Sequence, residues 1–197
     1  MLDNYSIMTD TSLHLLIARR VRELRAARGL SLEALASHCG VSRSMLSLIE
    51  RGESSPTAVV LEKLATGLGV TLPSLFEAPA AAGDPVSRRG QQQSWRDPHS
   101  GYVRRNVSPA GVGSPIQLVE VEFPPGARVA YETAAREAQV HQQVWVLEGV
   151  IDITFGEELF QLGAGDCLAM QLDRPMAFHN PGASTTRYAV AITTIRS

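Results

Sequence analysis

Apolar positions in the first 76 residues recur with helical spacing, and from Tyr102 onward they alternate like strands. Ile17, Val21 and Leu24 fall at i, i+4 and i+7, one stripe of an α-helix. Gly29 is placed to stop that helix and Ser31 to cap the next. Leu32, Leu35 and Ala36 mark a short second helix, which Gly40 breaks. Ser42 caps a third, whose expected buried side is Met45, Leu46 and Ile49; Gly52 and Ser54-Ser55-Pro56 end it. Leu61, Leu64, Ala65 and Leu68 mark a fourth, closed by Gly69, and residues 71–76 fit a last short turn of helix.

Residues 77–93 hold no periodic apolar face and are rich in Pro, Gly, Ala and Gln, so they read as a linker on which the preceding helices move. Beyond it the runs YVRRNV, IQLVEVEF, VWVLEGVIDITF, CLAMQL and RYAVAITTI are separated by Gly, Pro, Asn and Asp at short intervals. Short strands with regular turns predict an antiparallel sandwich or barrel. The expected architecture is therefore two domains, all-α then all-β: a helical head at 12–76, a linker at 77–93 and a β-domain at 94–197.

Composition narrows the class. The chain has 197 residues, 44% hydrophobic and 19% charged, as in ordinary globular proteins. No apolar run approaches the roughly 20 residues that span a bilayer. The N-terminus lacks a basic region followed by an apolar one, so no secretory signal is read. Cys39 and Cys167 fall in different domains and suggest no disulfide framework; a cytoplasmic location is expected. The net charge of −2 says nothing for nucleic acid, and residues 1–78 balance eight Lys/Arg against eight Asp/Glu. The basic character is local: Arg19, Arg20, Arg22, Arg25 and Arg28 crowd one segment, either a solvated helix face or part of a polyanion footprint.

The strongest motif is Leu32–Arg51, LEALASHCGVSRSMLSLIER. Ala36 suits a close helix crossing, and Gly40, four residues on, can take the positive φ of a tight turn. Val41, Leu46 and Ile49 face inward, leaving Ser42, Arg43, Ser44, Ser47 and Arg51 outside. With Arg22, Arg25, Gly29, Ser31, Glu50, Gly52, Pro56 and Leu61, this stretch resembles the helix-turn-helix of the lambda-repressor/Cro-like, or XRE, family over residues 16–76. Where that family usually has Gln at the start of the second helix, this chain has Leu32. The resemblance implies a transcriptional regulator that binds double-stranded DNA with residues 43–51 in the major groove. Arg43 is the expected base reader, with a phosphate contact as the alternative. Ser42, Ser44 and Ser47 are short enough to meet phosphate or a base edge. Arg51 reaches phosphate or pairs with Glu50, and Thr57 contacts the DNA backbone or caps a helix. Cys39 reads as a small packed hydrophobe. A homodimer on a pseudo-palindromic operator is expected, because one head covers too few base pairs for useful specificity.

The second half resembles the cupin superfamily, a jelly-roll barrel, over roughly residues 101–196, through Pro125-Gly126, VWVLEG at 144–149, Gly165-Asp166, Pro175 and Asn180. Cupin enzymes hold a metal with His, Glu and a later His. Here the corresponding places offer Tyr131 and Glu132, then Gln142, then Met176, with His141 and His179 out of register. The barrel is therefore expected to hold no metal and no catalytic residue. It is expected to enclose a pocket for a small organic effector, with Tyr102, Arg104, Gln142, Met176 and Phe178 as candidate contacts. Two other classes stay open: a metal-dependent cupin enzyme fused to the head, decided by the metal ligands, and an antitoxin-like protein-interaction module, decided by whether small ligands raise the melting temperature.

Overall fold

A computed structural model describes the chain at residues 4–76, 84–132 and 139–195. Helices α1 (Asn4–Ala27), α2 (Leu32–Cys39), α3 (Arg43–Glu50) and α4 (Ala58–Gly67) form the head, followed by a 3-10 turn, Leu72–Phe76. Leu13, Ile17 and Val21 recur at every fourth position of α1 and are buried with Leu35, Leu46, Ile49, Leu61, Leu64 and Leu68. The Ser31, Ser42 and Thr57 side chains accept the backbone N–H of Ala34, Met45 and Val60, so each of α2, α3 and α4 starts on a hydroxyl cap. Gly40 ends α2 at φ 60°, ψ 38°, the left-handed conformation that the tight turn into α3 demands. One expectation fails here. Met45 is 40% exposed, because the stripe turned toward the core is Leu46, Ile49 and Glu50, spaced i, i+3, i+4, with Met45 beyond its edge.

Among the described residues the second half contains β1 (Ser94–Arg96), β2 (Val103–Asn106), β3 (Ile116–Phe123), β4 (Arg128–Tyr131), β5 (Gln139–Glu148), β6 (Val150–Phe155), β7 (Glu158–Gly163), β8 (Cys167–Gln171), β9 (Met176–His179) and β10 (Thr186–Ile195). They form two antiparallel sheets, ordered β1-β2-β3-β10-β5-β8 and β4-β9-β6-β7. Strands β3 to β10 thus make a cupin-type jelly roll, and β1 and β2 extend its larger sheet. The VWVLEGVIDITF run divides at Gly149, whose φ is 80° and where a Cβ would lie 2.8 Å from Thr186 Oγ1. Alternation holds along the central strands. Val140, Gln142, Val144 and Val146 of β5 face Tyr188, Val190 and Ile192 of β10 into the barrel. The outer face of the same sheet leaves Ile116, Leu118 and Trp145 exposed.

The head sits directly on the barrel. Asp97, buried beside β1, accepts the Ala58 N–H at 2.9 Å. Thr71 Oγ1 donates to Gln117 Oε1 at 2.5 Å, Asn106 Nδ2 donates to the Pro73 carbonyl at 3.3 Å, and Lys63 pairs with Glu132 at 3.2 Å. The Phe76 ring meets Trp95 with centroids 5.9 Å apart. Residues 84–93 are mostly exposed, as a linker composition implies, and 77–83 lie outside the described residues. Freely moving heads do not follow from that composition: the direct contacts between the two halves oppose such motion, and a single-segment reading of the linker does not contain them.

Candidate nucleic-acid interface and interior cavity

The outer face of α3 rests on an ion pair behind it. Arg25 of α1 donates from Nε and Nη2 to the two Glu50 oxygens at 2.6 and 2.8 Å, and from Nη1 to the Leu30 carbonyl at 2.9 Å. Both side chains are largely buried, and the Glu50 carboxylate holds the Arg25 guanidinium above its ordinary pKa. The pair fixes α3 against α1. It also corrects the Glu50–Arg51 alternative, because Glu50 points into the head and Arg51 instead grips Glu53 at 2.9 and 2.8 Å.

On the outer side of α3, Arg43 is exposed, with Nε 3.7 Å from Glu33 Oε2. Ser42 and Ser44 are exposed with their hydroxyls 3.1 Å apart, and the Ser42 oxygen also accepts the Met45 N–H at 3.1 Å. Ser47 is half-buried and accepts from Arg51 Nη1. Thr57 stands at the start of α4 as its cap, accepting the Val60 N–H at 3.4 Å. Of the α1 arginines, Arg19 pairs with Glu23 at 2.7 Å, Arg20 reaches the Ser74 carbonyl at 3.2 Å, Arg28 reaches the Leu24 carbonyl at 3.3 Å, and Arg22 is exposed.

Inside the barrel, Tyr102, Arg104, Gln142, Met176 and Phe178 line one cavity. It offers about 60 Å³ to the centres of water-sized molecules. Five aromatic rings run around its wall. Tyr102 meets Phe123 at 5.6 Å, Phe123 meets Tyr188 at 6.2 Å, Tyr188 stacks on Phe178 at 6.0 Å, and Phe178 meets Tyr131 at 6.2 Å. The Tyr131 and Tyr102 hydroxyls, 3.3 Å apart, close the circuit. Burial pushes the Tyr102, Tyr131 and Tyr188 phenols above their ordinary pKa, so all three stay protonated at neutral pH. Gln142 Nε2 lies 3.2 Å from Met170 Sδ and 3.7 Å from Met176 Sδ, two weak acceptors. Arg104 is 8% exposed.

Glu62, Thr71, Leu72 and Pro73 of the head also line this cavity. Periodicity could not point to them. It marks the face of α4 that packs inside the head, and Glu62 sits beside that face.

Among the described residues, the positions where a cupin metal would bind do not bring a ligand set together. Glu132 faces outward to Lys63. His141 neighbours Gln142 on an unbulged stretch of β5 and so points to the opposite face. His179 alternates with inward Phe178, and its Nδ1 lies 3.5 Å from Asp152 Oδ2. Among the described residues no three His, Cys, Asp or Glu side chains gather.

Comparison with known proteins places this geometry. A family model described as "Helix-turn-helix domain" matches residues 16–78. The HTH-type transcriptional regulator SutR of Escherichia coli is 31% identical over 172 residues, 87% of this chain and 91% of the relative. The HTH-type transcriptional regulator PuuR of Escherichia coli is 25% identical over 175 residues, 89% and 93% of the two chains. A solved HTH_3 family transcriptional regulator from Vibrio cholerae superposes with a TM-score of 0.76 at 26% identity, covering 95% of this chain and 99% of that one. The capped α2–α3 pair and relatives matched across nearly their whole length converge: the chain belongs to the HTH-type transcriptional regulators, and it carries a jelly-roll barrel behind its helix-turn-helix head.

Proposed function

We propose that this regulator binds a specific double-stranded operator through α3, as a homodimer in the cytoplasm, and that a small organic effector in the metal-free barrel modulates the binding. The observation that carries the DNA reading is the anchored helix on which Arg43 stands exposed. Its helix is capped by Ser42, anchored by Arg25–Glu50 and exposed on the side where Ser44 also lies. Arg43 reads a base edge, while Ser42, Ser44, Ser47 and Arg51 serve the phosphates. Thr57 positions α4 at the edge of the interface. Selection of operator fragments from genomic DNA, followed by footprinting, tests this. Arg43→Ala should cost about 1–3 kcal/mol on the selected site and far less on unrelated DNA. Equal loss on all DNA assigns Arg43 to phosphate, and failure to select any sequence overturns the reading.

The exposed Ile116, Leu118 and Trp145 support pairing of two barrels through their outer sheets. Support for the effector is the placement of the cavity: it is walled by both halves, so an occupant touches Leu72 and Pro73 of the head as well as the barrel. A ligand that binds one head orientation better shifts the population toward it. Ligand-dependent change in operator affinity is the test.

A further inference from the structure

The strand β2 turns one buried side chain inward, and that side chain is an arginine. Arg104 pairs in register with Trp95 on one side and Val121 on the other, which fixes its direction. Its Nε and Nη2 are fully buried and have no hydrogen-bond partner among the described residues. A buried charged donor without a partner costs more than a neutral one, so native structures seldom leave one unexplained. Nε and Nη2 form one edge of the guanidinium, the edge that meets a carboxylate with two parallel bonds. The chain itself shows the geometry twice: the same two nitrogens hold Glu50 from Arg25 at 2.6 and 2.8 Å, and Glu53 from Arg51 at 2.9 and 2.8 Å.

Resting on the effector reading above, we propose that Arg104 is the carboxylate receptor of the cavity and that the effector is a short monocarboxylate with an apolar tail. The tail follows from the wall, where Val121, Val129, Phe178 and Val190 offer only carbon. The narrow space, about 60 Å³ open to the centres of water-sized molecules, suits a short tail better than a long one. One guanidinium edge serves one carboxylate, so a second acidic group on the ligand would lie unpaired against the carbon wall. A phosphate is disfavoured for the same reason.

The test is calorimetric titration of the full-length protein with butanoate, with its neutral isostere butanamide and with inorganic phosphate, on wild type, Arg104→Met and Arg104→Lys. Butanoate should bind the wild type, and Arg104→Met should weaken it by about ten- to a hundredfold, the worth of a charged hydrogen-bonded contact. Arg104→Lys should recover only part, since it restores charge without the fork. The wild-type preference for butanoate over butanamide keeps the idea testable even if the variants fail to fold. Butanamide binding as tightly as butanoate, or phosphate binding more tightly, overturns the carboxylate assignment and leaves the effector cavity standing. If straight-chain acids and amides of one to six carbons all fail to bind the wild type, both the carboxylate assignment and the effector reading fall.

Discussion

Asp97 Oδ1 accepts the backbone N–H of Ala58 at 2.9 Å, so the first turn of α4 in the head is closed by a carboxylate that belongs to the barrel's lead-in. The other oxygen is held by the Ser100 N–H at 2.7 Å and the Ser100 hydroxyl at 2.5 Å, which aims the carboxylate. A negative charge there also suits the positive end of the helix. Asp97→Ala should destabilise the protein by about 1–3 kcal/mol by orphaning a buried N–H. Trypsin should cut after the exposed Arg88 or Arg89. The nicked wild type should stay together on a sizing column, and the nicked variant should separate more readily. Equal association of both would remove Asp97 from the junction.

Glu50 and Arg51 are neighbours with opposite expected phenotypes. Glu50→Ala strips a largely buried partner from Arg25 and should cost about 3–5 kcal/mol of stability. Arg51→Ala, on the surface, should leave stability nearly unchanged while weakening DNA binding. Denaturant midpoints and operator titrations on the two variants check this pair.

Gly67 closes α4 against α2. A Cβ there would lie 2.4 Å from Cys39 Sγ. Helix propensity favours Ala over Gly by about 1 kcal/mol. The overpacking penalty of about 1–3 kcal/mol opposes it and should win. Gly67→Ala should therefore lower the melting temperature, and adding Cys39→Ala should restore it. Two effects that simply add would show that the contact is absent.

The two thiols should react differently. Burial pushes the Cys39 thiol up to about 11, while Cys167 lies exposed on β8. A folded-state value above the unfolded one means that Cys39 favours the folded state below about pH 8.5 and loses that contribution as the pH rises toward 11. At pH 8 a disulfide reagent should titrate one fast thiol in the native protein and two after denaturation. Cys167→Ser should abolish the fast one.

If the outer sheet is the dimer face, Trp145→Glu should move the protein to monomer in sedimentation at micromolar concentration. Operator binding should weaken, with the far-ultraviolet spectrum unchanged. A wild type that already sediments as a monomer would end the proposal.

The head was legible because its signals are local. Ser31, Gly40 and Ser42 act on backbone within a few residues, and all three hold the positions their chemistry implies. The β-domain was legible where strands are long and β-branched, as in β3 and β10. Strands β1, β4, β7 and β9 escaped. They have three to six residues, and Met-Ala-Phe-His or Ser-Trp-Arg carries little alternation from which to read a period. Gln142 and Met176 stand at places that the cupin resemblance marks, and with Phe178 they line the cavity. The head's share of that cavity was illegible, because Glu62, Leu72 and Pro73 meet the barrel across a junction that no spacing along the chain encodes.

The ring contact between Phe76 and Trp95 has a practical reach. Trp95 stands 2% exposed between the head and the aromatic circuit, and the second tryptophan of the chain, Trp145, is 53% exposed on the outer sheet. One indole is thus shielded beside the cavity and the other is wet on the opposite side of the sheet. A soluble quencher such as acrylamide should extinguish the red-emitting Trp145 first. Behind it remains a blue emission from Trp95, sensitive to movement of the head and to filling of the barrel. The native sequence thus supplies an unlabelled optical reporter at the junction of head and barrel and a second at the face proposed for pairing.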